Sequence, residues 1–424
     1  MENFKRYIVL WISQSISQLG SSMTAFALIL WAYGQSRSAL SVSLMSFCNY
    51  VPYILVSLFV GVFIDRHSKK AVMLMADSAA ALGSLAVLLL LVTGKLSIWH
   101  IYLVNAVIGV ATAFQQPASA VAVGKLVPKD KISNVSGMNS FSGNLIVVFS
   151  PMLAAALYSA GGLSLLLVID LSSFLLAFLV LLCLIPIPDE IEKKEYSSPF
   201  AGTAEGFRFL KQERGILQIM LTMALINFFS RLTYENILSP MILARSGDNQ
   251  MALGFVNACM GIGGIAGGLI VSFKKESKHK ANMIYISAAL SFLFGDLCMA
   301  MGRNVLWWSF AAVAASLPIP FIMAGQNAIL YGRVPQEMQG RVFAVRNAVQ
   351  YSTIPFGILL GGFLADYVFE PFMGAGSSLA LGLEKLVGSG TGSGMAVMFL
   401  CTGICGFFVS MTSLFGKEIR KLNE

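Results

Sequence analysis

The stretch Gly61-Val-Phe-Ile-Asp65-Arg66-His-Ser-Lys69-Lys70 sets one acid and three bases at the junction of two long apolar segments, residues 40–64 and 71–92. A helix rises 1.5 Å per residue, so each segment is long enough to cross about 30 Å of hydrocarbon. Because lysine and arginine collect in cytoplasmic loops, this charged loop is expected at the cytoplasmic surface. The stretch therefore predicts a membrane protein.

The composition of the whole chain agrees with this prediction. Of its 424 residues, 56% are hydrophobic and 12% are charged, whereas a soluble domain carries about 25% charged residues. The formal net charge is +8, but the bases fall in short clusters between apolar stretches and form no single basic patch. All six cysteines lie inside apolar stretches. Nucleic acid, disulfides and metal sites are therefore not expected.

Stretches of membrane-spanning length occur twelve times, and we number them as spans one to twelve. Their limits are residues 7–33, 40–64, 71–92, 99–124, 136–160, 163–186, 215–243, 250–273, 281–302, 304–331, 342–369 and 394–416. One set of alternate loops and termini holds 23 of the 29 lysines and arginines, and the opposite loops hold five. The excess of bases predicts an all-α, multi-pass protein of the inner (plasma) membrane with both termini in the cytoplasm.

The longest polar connection, residues 187–214, is predicted to be a cytoplasmic linker between two six-helix bundles, residues 1–186 and 215–424. Its second part interleaves Phe207 and Phe209 with Arg208 and Lys211. This pattern suits a helix on the membrane surface, and a partly ordered linker fits the same residues.

Residues 370–393 form an unusual connection within the second bundle. They are rich in glycine and serine but contain several leucines. We expect an extracytoplasmic flap with a short amphipathic helix, which is a passive connector, an external lid or a contact with the lipid surface.

The two halves of the chain repeat each other in parallel. Lys125-Leu-Val-Pro128 before span five matches Arg333-Val-Pro335 before span eleven, and Pro151 is answered by Pro355. A parallel repeat of six spans is the architecture of major facilitator halves. The predicted fold is therefore two six-helix bundles that together hold twelve transmembrane helices.

The charged loop after span two resembles the signature loop of the major facilitator superfamily, which has a glycine and an aspartate followed by clustered bases. The resemblance implies a gate, in which Asp65 meets the positive amino end of span eleven and Arg341. Arg66, Lys69 and Lys70 complete the predicted gating set, and their charges also favour the cytoplasmic side for this loop.

Within the superfamily, the chain is most similar to the macrolide-efflux branch and also resembles siderophore exporters. Tyr50-Val-Pro-Tyr53, Phe114 to Pro117 and Gly340-Arg-Val342 carry this similarity. Asn105 stands where the antiporter motif of span four has an arginine, and Ile146 replaces the central glycine of the span-five motif. The resemblance implies efflux, but it does not imply proton coupling by the usual arginine.

Span seven contains the charged pair Arg231 and Glu235, and ionisable residues inside a span are expected to be functional. With Asn227 and Tyr234 they follow the i, i+4, i+7, i+8 pattern of one helix face, which is predicted to line a central cavity. The pair is predicted to carry the coupling proton or to bind a charge on the substrate; a neutralised structural pair is the alternative. An adjacent arginine keeps a glutamate ionised, so proton transfer requires the two to separate or a cation to compete.

Other polar and aromatic residues at mid-span predict a roomy, moderately polar substrate cavity. The predicted lining residues are Gln14, Gln18, Asn49, Tyr53, Phe114, Gln115, Asn139, Asn227, Tyr234, Asn257, Gln326 and Asn347. Of the remaining acids, Asp77 is expected to brace the signature loop through Arg66 or Lys69. Asp170, Asp296 and Asp366 are interpreted as structural or interfacial.

Together these features predict a secondary active transporter that exports small amphipathic compounds, macrolide-like drugs or siderophore-like metabolites, by alternating access and driven by protons. The alternatives are a lysophospholipid transporter, a nutrient symporter and a non-transporting membrane sensor. The sequence contains no P-loop and no Ser-His-Asp constellation, so neither an enzyme activity nor a cofactor is expected. The expected partners are a small-molecule substrate, membrane lipid and a proton, and the protein is expected to be monomeric.

Overall fold

The computed structural model of the chain describes residues 2–57, 60, 63–64, 67–128, 131–187, 201–273, 279–416 and 419. All regular elements in these residues are helices, which confirms the predicted all-α membrane fold. The described residues contain eleven helices that are long and apolar enough to cross a membrane.

One of the eleven helices holds two predicted spans. Gly137–Leu184 has 48 residues, or about 70 Å of continuous helix at 1.5 Å per residue, which is more than twice the hydrocarbon thickness. Gly162 interrupts it with φ of 64° and ψ of −164°. This backbone conformation suits glycine, which has no Cβ. Spans five and six are thus two helices joined at Gly162, and twelve spans result.

The chain divides into two compact units. The first contains Met1–Arg37 and Leu44–Lys194, and the second contains Ser38–Ser43 and Glu195–Glu424. The helices of the first unit are Glu2–Ser36, Ala39–Ser57, Lys69–Val92, Ile98–Leu126 and Ile132–Leu184, although the first residues of Ala39–Ser57 group with the second unit. Tyr7, Ile64, Met73, Leu126 and Leu181 are among the residues of its buried core.

The second unit has a more broken set of helices. The helices that form its spans are Arg214–Thr233, Leu238–Arg245, Gln250–Phe273, Lys280–Leu290, Leu297–Met301, Val305–Ser316, Ile319–Arg333, Gln336–Leu364 and Ser393–Leu414. Ile219, Met220, Tyr285, Ile329 and Val342 are among the residues of its core. Four of its predicted spans are discontinuous in the described residues. Span seven breaks after Thr233 and span ten breaks between Ser316 and Ile319, while spans nine and eleven contain π-helical turns at Ser291–Asp296 and Ala365–Phe369.

The linker and the flap both contain helices. Ala201–Gln212 is amphipathic, and its Leu210 is fully buried in the core of the second unit. In the flap, Glu370–Gly374 and Ser378–Val387 are helical. The backbone oxygen of Val387 accepts a hydrogen bond from Arg245, and that of Lys385 accepts one from Arg303 at 3.1 Å. The flap helix is therefore anchored at its carboxyl end.

Candidate functional site

The charged pair of span seven lies where the helix ends. Arg231 and Glu235 form an ion pair, with about a third of each side chain exposed (33% and 27%). The helix Arg214–Thr233 stops between them, and residues 234–237 form a turn before Leu238–Arg245 begins. Broken helices supply binding groups at the midplane of many transporters. The ion pair therefore bridges the point at which the helix of span seven is interrupted.

The turn gives Tyr234 a different environment from the one expected for a cavity residue. Its ring packs edge-on against Phe399 of span twelve, with 5.2 Å between centroids. Its hydroxyl is enclosed and makes no hydrogen bond of normal geometry among the described residues, while it faces the carboxyl group of Asp296. The predicted common face of span seven thus ends at Thr233, because the helical periodicity ends there.

Asn236, in the same turn, was not predicted as a site residue. It is fully buried, and its amide nitrogen donates to Ser43 Oγ at 2.6 Å and to the Ile358 carbonyl at 2.7 Å. These bonds tie the interrupted part of span seven to span eleven and to the start of span two. The sequence did not reveal the break in the helix. Without a break, an asparagine at this position has no predicted role.

In the first unit, a polar group joins spans one, three and four. The Nε2 atom of Gln14 donates to Asp77 Oδ2 at 3.4 Å, and Gln115 also interacts with this carboxyl group. The Oε1 atom of Gln115 is buried without a hydrogen-bond partner. Asp77 therefore contacts two predicted cavity residues. Of the two partners expected for it, Arg66 and Lys69, the first lies outside the described residues.

Asp170 is the centre of a second polar group in the first unit. It is 5% exposed. Ser21 of span one donates to its Oδ1 at 2.8 Å, and Ser84 of span three donates to its Oδ2 at 2.9 Å. Both carboxylate oxygens are thus held by hydroxyls from neighbouring spans.

The other predicted lining residues are mostly engaged within their own units. In the first unit, Asn49 donates to the Asn105 carbonyl, Tyr53 donates to Gln116, and Asn139 accepts from Tyr7. In the second, Asn227 donates to the Gln350 carbonyl, Asn257 to Leu253 of its own helix, and Asn347 accepts from Arg346. Gln18 is exposed, and Gln326 is 8% exposed with its Nε2 unbonded among the described residues.

Phe114 lines an apolar cavity of about 480 Å³ in the first unit. The walls come from spans two, three and four and are almost wholly apolar; they include Pro52, Phe63, Val72, Met75, Ala76, Ala79, Ala106, Val107, Val110 and Ala111. Phe63 packs edge-on against Phe114 at 5.2 Å between centroids. Phe114, predicted to line a moderately polar cavity, thus lines an apolar cavity that the sequence did not reveal.

Only part of the predicted gating set falls within the described residues. The Lys70 ammonium donates to the Leu182 carbonyl at 2.9 Å, and Lys69 is 3% exposed. Asp65 and Arg66 lie outside the described residues, and the structure describes the helix at Arg341 but not its side chain. The gate remains a prediction. No group of three or more His, Cys, Asp or Glu residues in the described part is arranged to hold a metal ion.

A family model described as Major Facilitator Superfamily matches residues 10–358. The chain belongs to this superfamily. The resemblance predicted from the signature loop is therefore confirmed, and the chain is a transporter rather than an enzyme. As a major facilitator protein with membrane-spanning helices, it is a multi-pass membrane protein that binds a small-molecule substrate.

Relatives within the Major Facilitator Superfamily include exporters. Macrolide efflux protein A of Streptococcus pyogenes is 23% identical over 370 residues, covering 86% of this chain and 90% of that protein. Enterobactin exporter EntS of Escherichia coli O81 (strain ED1a) is 24% identical over 315 residues, covering 71% of each chain. Nucleoside transporter NupG has a similar structure, with a TM-score of 0.72 at 13% identity over 97% of this chain and 100% of NupG. The last similarity concerns the fold.

Proposed function

We propose that this protein is a secondary active exporter of small amphipathic compounds in the cell membrane and that a proton gradient drives it. The observation that carries the proposal is the partly exposed Arg231–Glu235 pair at the break in span seven. A charged pair that stays partly exposed at an interrupted helix is suited to exchange partners with a charged substrate. The exporters among its relatives support the direction of transport.

In this proposal the pair recognises the charge on the substrate. A cationic amphipath competes with Arg231 for Glu235, and an anionic one competes with Glu235 for Arg231. The polar residues Gln14, Gln18 and Asn227 contact the uncharged polar groups of the substrate. The two bundles rock about the bound substrate, and the gate of Asp65 with Arg341 closes the cytoplasmic side, where both termini also lie.

The test compares cells with and without the protein for accumulation of erythromycin and of enterobactin, each with and without an uncoupler. We expect cells that contain the protein to accumulate less of at least one compound. The uncoupler should abolish this difference. A nutrient symporter would raise accumulation instead. Unchanged accumulation of both compounds, with the protein present in the membrane at normal levels, would overturn the proposal.

The apolar cavity favours a second candidate, a transporter of lysophospholipids. Its volume of about 480 Å³ lies between spans two, three and four and is lined by apolar side chains, which suits a single acyl chain. Vesicles of defined lipid that contain the purified protein separate the two candidates. Translocation of a fluorescent lysophosphatidylethanolamine without erythromycin transport would favour the lipid function, and the reverse would exclude it.

A further inference from the structure

Asp296 is a buried acid that has no role in the proposed recognition of the substrate charge. It is 1% exposed in span nine, and no lysine, arginine or histidine pairs with it among the described residues. A carboxylate at this depth costs several kcal/mol when it is ionised without a counter-charge. An asparagine would keep the shape and the hydrogen bond without that cost, so packing alone does not account for the acid.

The backbone at Asp296 is also unusual. The residue ends the π-helical turn Ser291–Asp296, between the α-helices Lys280–Leu290 and Leu297–Met301. Such turns interrupt the regular hydrogen bonding of a helix and occur frequently at functional sites. The corresponding span of the first unit, Lys69–Val92, is an unbroken helix. The turn is therefore a local feature of span nine and not a feature of the repeat.

The hydroxyl of Thr402 has two acceptors, and this permits two protonation states of Asp296. Its Oγ1 lies 2.8 Å from Asp296 Oδ2 and 3.2 Å from the Phe399 carbonyl oxygen. When the carboxylate is ionised, Thr402 donates to it. When the carboxyl is protonated, its own O–H donates to Thr402, and the threonine hydrogen turns to Phe399. Either state leaves these groups satisfied.

Tyr234 connects this buried acid to the charged pair. Its enclosed hydroxyl faces Asp296 and makes no hydrogen bond of normal geometry among the described residues, although a buried hydroxyl normally has a partner. Tyr234 directly precedes Glu235 in the turn that breaks span seven. Tyr234 and Glu235 therefore share a turn, and a movement of this turn can shift a hydroxyl that is able to donate to Asp296.

Within the described part of the chain, few groups face Asp296 from neighbouring spans. Tyr234 of span seven is the titratable one, and Thr402 of span twelve is not ionisable. Cys298, two residues along span nine, interacts with Tyr234. Gly403 of span twelve packs so closely that a Cβ there would lie 3.0 Å from the Asp296 Cβ. Among the described residues, the Tyr234 hydroxyl is thus the titratable group of span seven that faces Asp296.

Asp170 provides an internal comparison. It occupies the corresponding junction of the first unit, where spans one, three and six meet, as spans seven, nine and twelve meet at Asp296. Its two oxygens each accept a serine hydroxyl, from Ser21 and Ser84. It lies in the regular helix after Gly162 and has no unbonded hydroxyl beside it among the described residues. These features suit a carboxylate with a constant structural role.

We propose that Asp296 is the proton-binding site of the transport cycle and that Tyr234 couples its protonation to the Arg231–Glu235 pair. The inference rests on the proposed proton-driven export. A proton from the outer side binds a carboxylate oxygen of Asp296, and an O–H bond forms. In the inward-facing state the same bond breaks and the proton leaves to the cytoplasm. Substrate at the charged pair shifts Tyr234 toward or away from Asp296 and so links the two events.

Infrared difference spectroscopy on the purified protein tests proton binding without a substrate. The C=O stretching band of a protonated carboxyl is followed between about pH 5 and pH 9. We expect a titrating band that is absent in Asp296→Asn and present in Asp170→Asn. Its pH midpoint should be displaced by about one pH unit in Tyr234→Phe, since that variant lacks the hydroxyl that can donate to the ionised group. A titration unchanged in Asp296→Asn would overturn the proposal.

Transport in vesicles with an imposed pH gradient gives the second readout, with erythromycin and enterobactin as probes. Asp296→Asn is expected to keep substrate exchange but to lose at least about 90% of the gradient-driven component, while Asp170→Asn keeps it. Equal losses in both variants, or a retained gradient response in Asp296→Asn, would sink the assignment. If the unmodified protein moves neither probe, the proposed function fails while the infrared result still decides proton binding.

Discussion

The carboxylate of Asp366 accepts a hydrogen bond of 2.9 Å from the backbone N–H of Leu40, which is 326 residues away in the chain. The same carboxylate accepts from the Ala39 N–H at 3.0 Å and from the Ser38 hydroxyl at 2.5 Å. An acid from span eleven therefore caps the first turn of the helix Ala39–Ser57. This contact explains why residues 38–43 group with the second unit rather than with the rest of span two.

Asp366→Ala is expected to destabilise the protein by about 1–2 kcal/mol, because it removes a charged cap from backbone donors at a helix start. Hydrogen exchange at Ala39 and Leu40 should accelerate in the same variant. Asp366→Asn retains one acceptor oxygen, so its stability and exchange rates should lie between those of the unmodified protein and those of Asp366→Ala. Tyr367→Phe, at an exposed neighbour, serves as the control. Unchanged exchange in Asp366→Ala would show that the cap does not hold this turn.

Glu235→Gln is expected to raise the KM for erythromycin about tenfold while leaving the response to a pH gradient intact, because the pair binds substrate charge and Asp296 binds the proton. Uptake into inverted vesicles at several gradients measures both quantities. Loss of the gradient response with unchanged KM would instead identify Glu235 as the proton carrier.

The Arg231–Glu235 pair should also show a measurable coupling in stability. A double-mutant cycle with Arg231→Gln and Glu235→Gln is expected to give an interaction of up to about 1 kcal/mol, the usual range for a pair that is a third exposed. Thermal unfolding in detergent provides the measurement. A coupling of zero would mean that the two side chains separate readily in the resting state.

Gly267→Ala is expected to destabilise the protein by about 1–3 kcal/mol through overpacking. A Cβ at Gly267 would overlap the Leu317 carbonyl oxygen and lie 3.2 Å from Pro320, whereas a Cβ at the next residue, Gly268, would meet nothing within 4 Å. Gly268→Ala on the same helix is therefore the matched control and should be neutral or slightly stabilising. Equal melting temperatures for the two variants would contradict this packing.

The flap helix should loosen when its anchor is removed. Arg245→Met deletes the donor to the Val387 carbonyl at the carboxyl end of Ser378–Val387, and we expect exchange of the flap amides to rise about tenfold. Lys385→Gln changes an exposed side chain but keeps the backbone oxygen that Arg303 binds. It should leave exchange unchanged; equal protection in both variants would mean that Arg245 does not restrain the flap.

Ala79→Phe should fill part of the apolar cavity and reduce transport of compounds whose apolar body occupies it, by about tenfold. Leu82→Phe lies on the same span but is 64% exposed and should have no effect. Transport of erythromycin and of a lysophospholipid by each variant distinguishes the ligand that uses the cavity. If Ala79→Phe affects neither compound, the cavity takes no part in transport.

Periodicity and length predicted the elements of this fold well. The apolar stretches predicted twelve spans because a membrane helix needs about twenty apolar residues, and Gly61 with Asp65, Arg66, Lys69 and Lys70 indicated the superfamily. The same reasoning paired Arg231 with Glu235, since residues four apart share a helix face. It failed to predict the break after Thr233, because the turn residues 234–237 include neither glycine nor proline.

The sequence by itself determined the membrane class, the spans, the superfamily and the one charged pair, because these depend on neighbours along the chain. Tertiary structure decided which polar residues meet. Asp296 approaches Tyr234 and Thr402 from 62 and 106 positions away, and Asp366 reaches Leu40 across 326 positions. Such contacts arise when helices distant in sequence pack side by side, so no local pattern predicts them, and they are the contacts that distinguish a buried proton site from a structural acid.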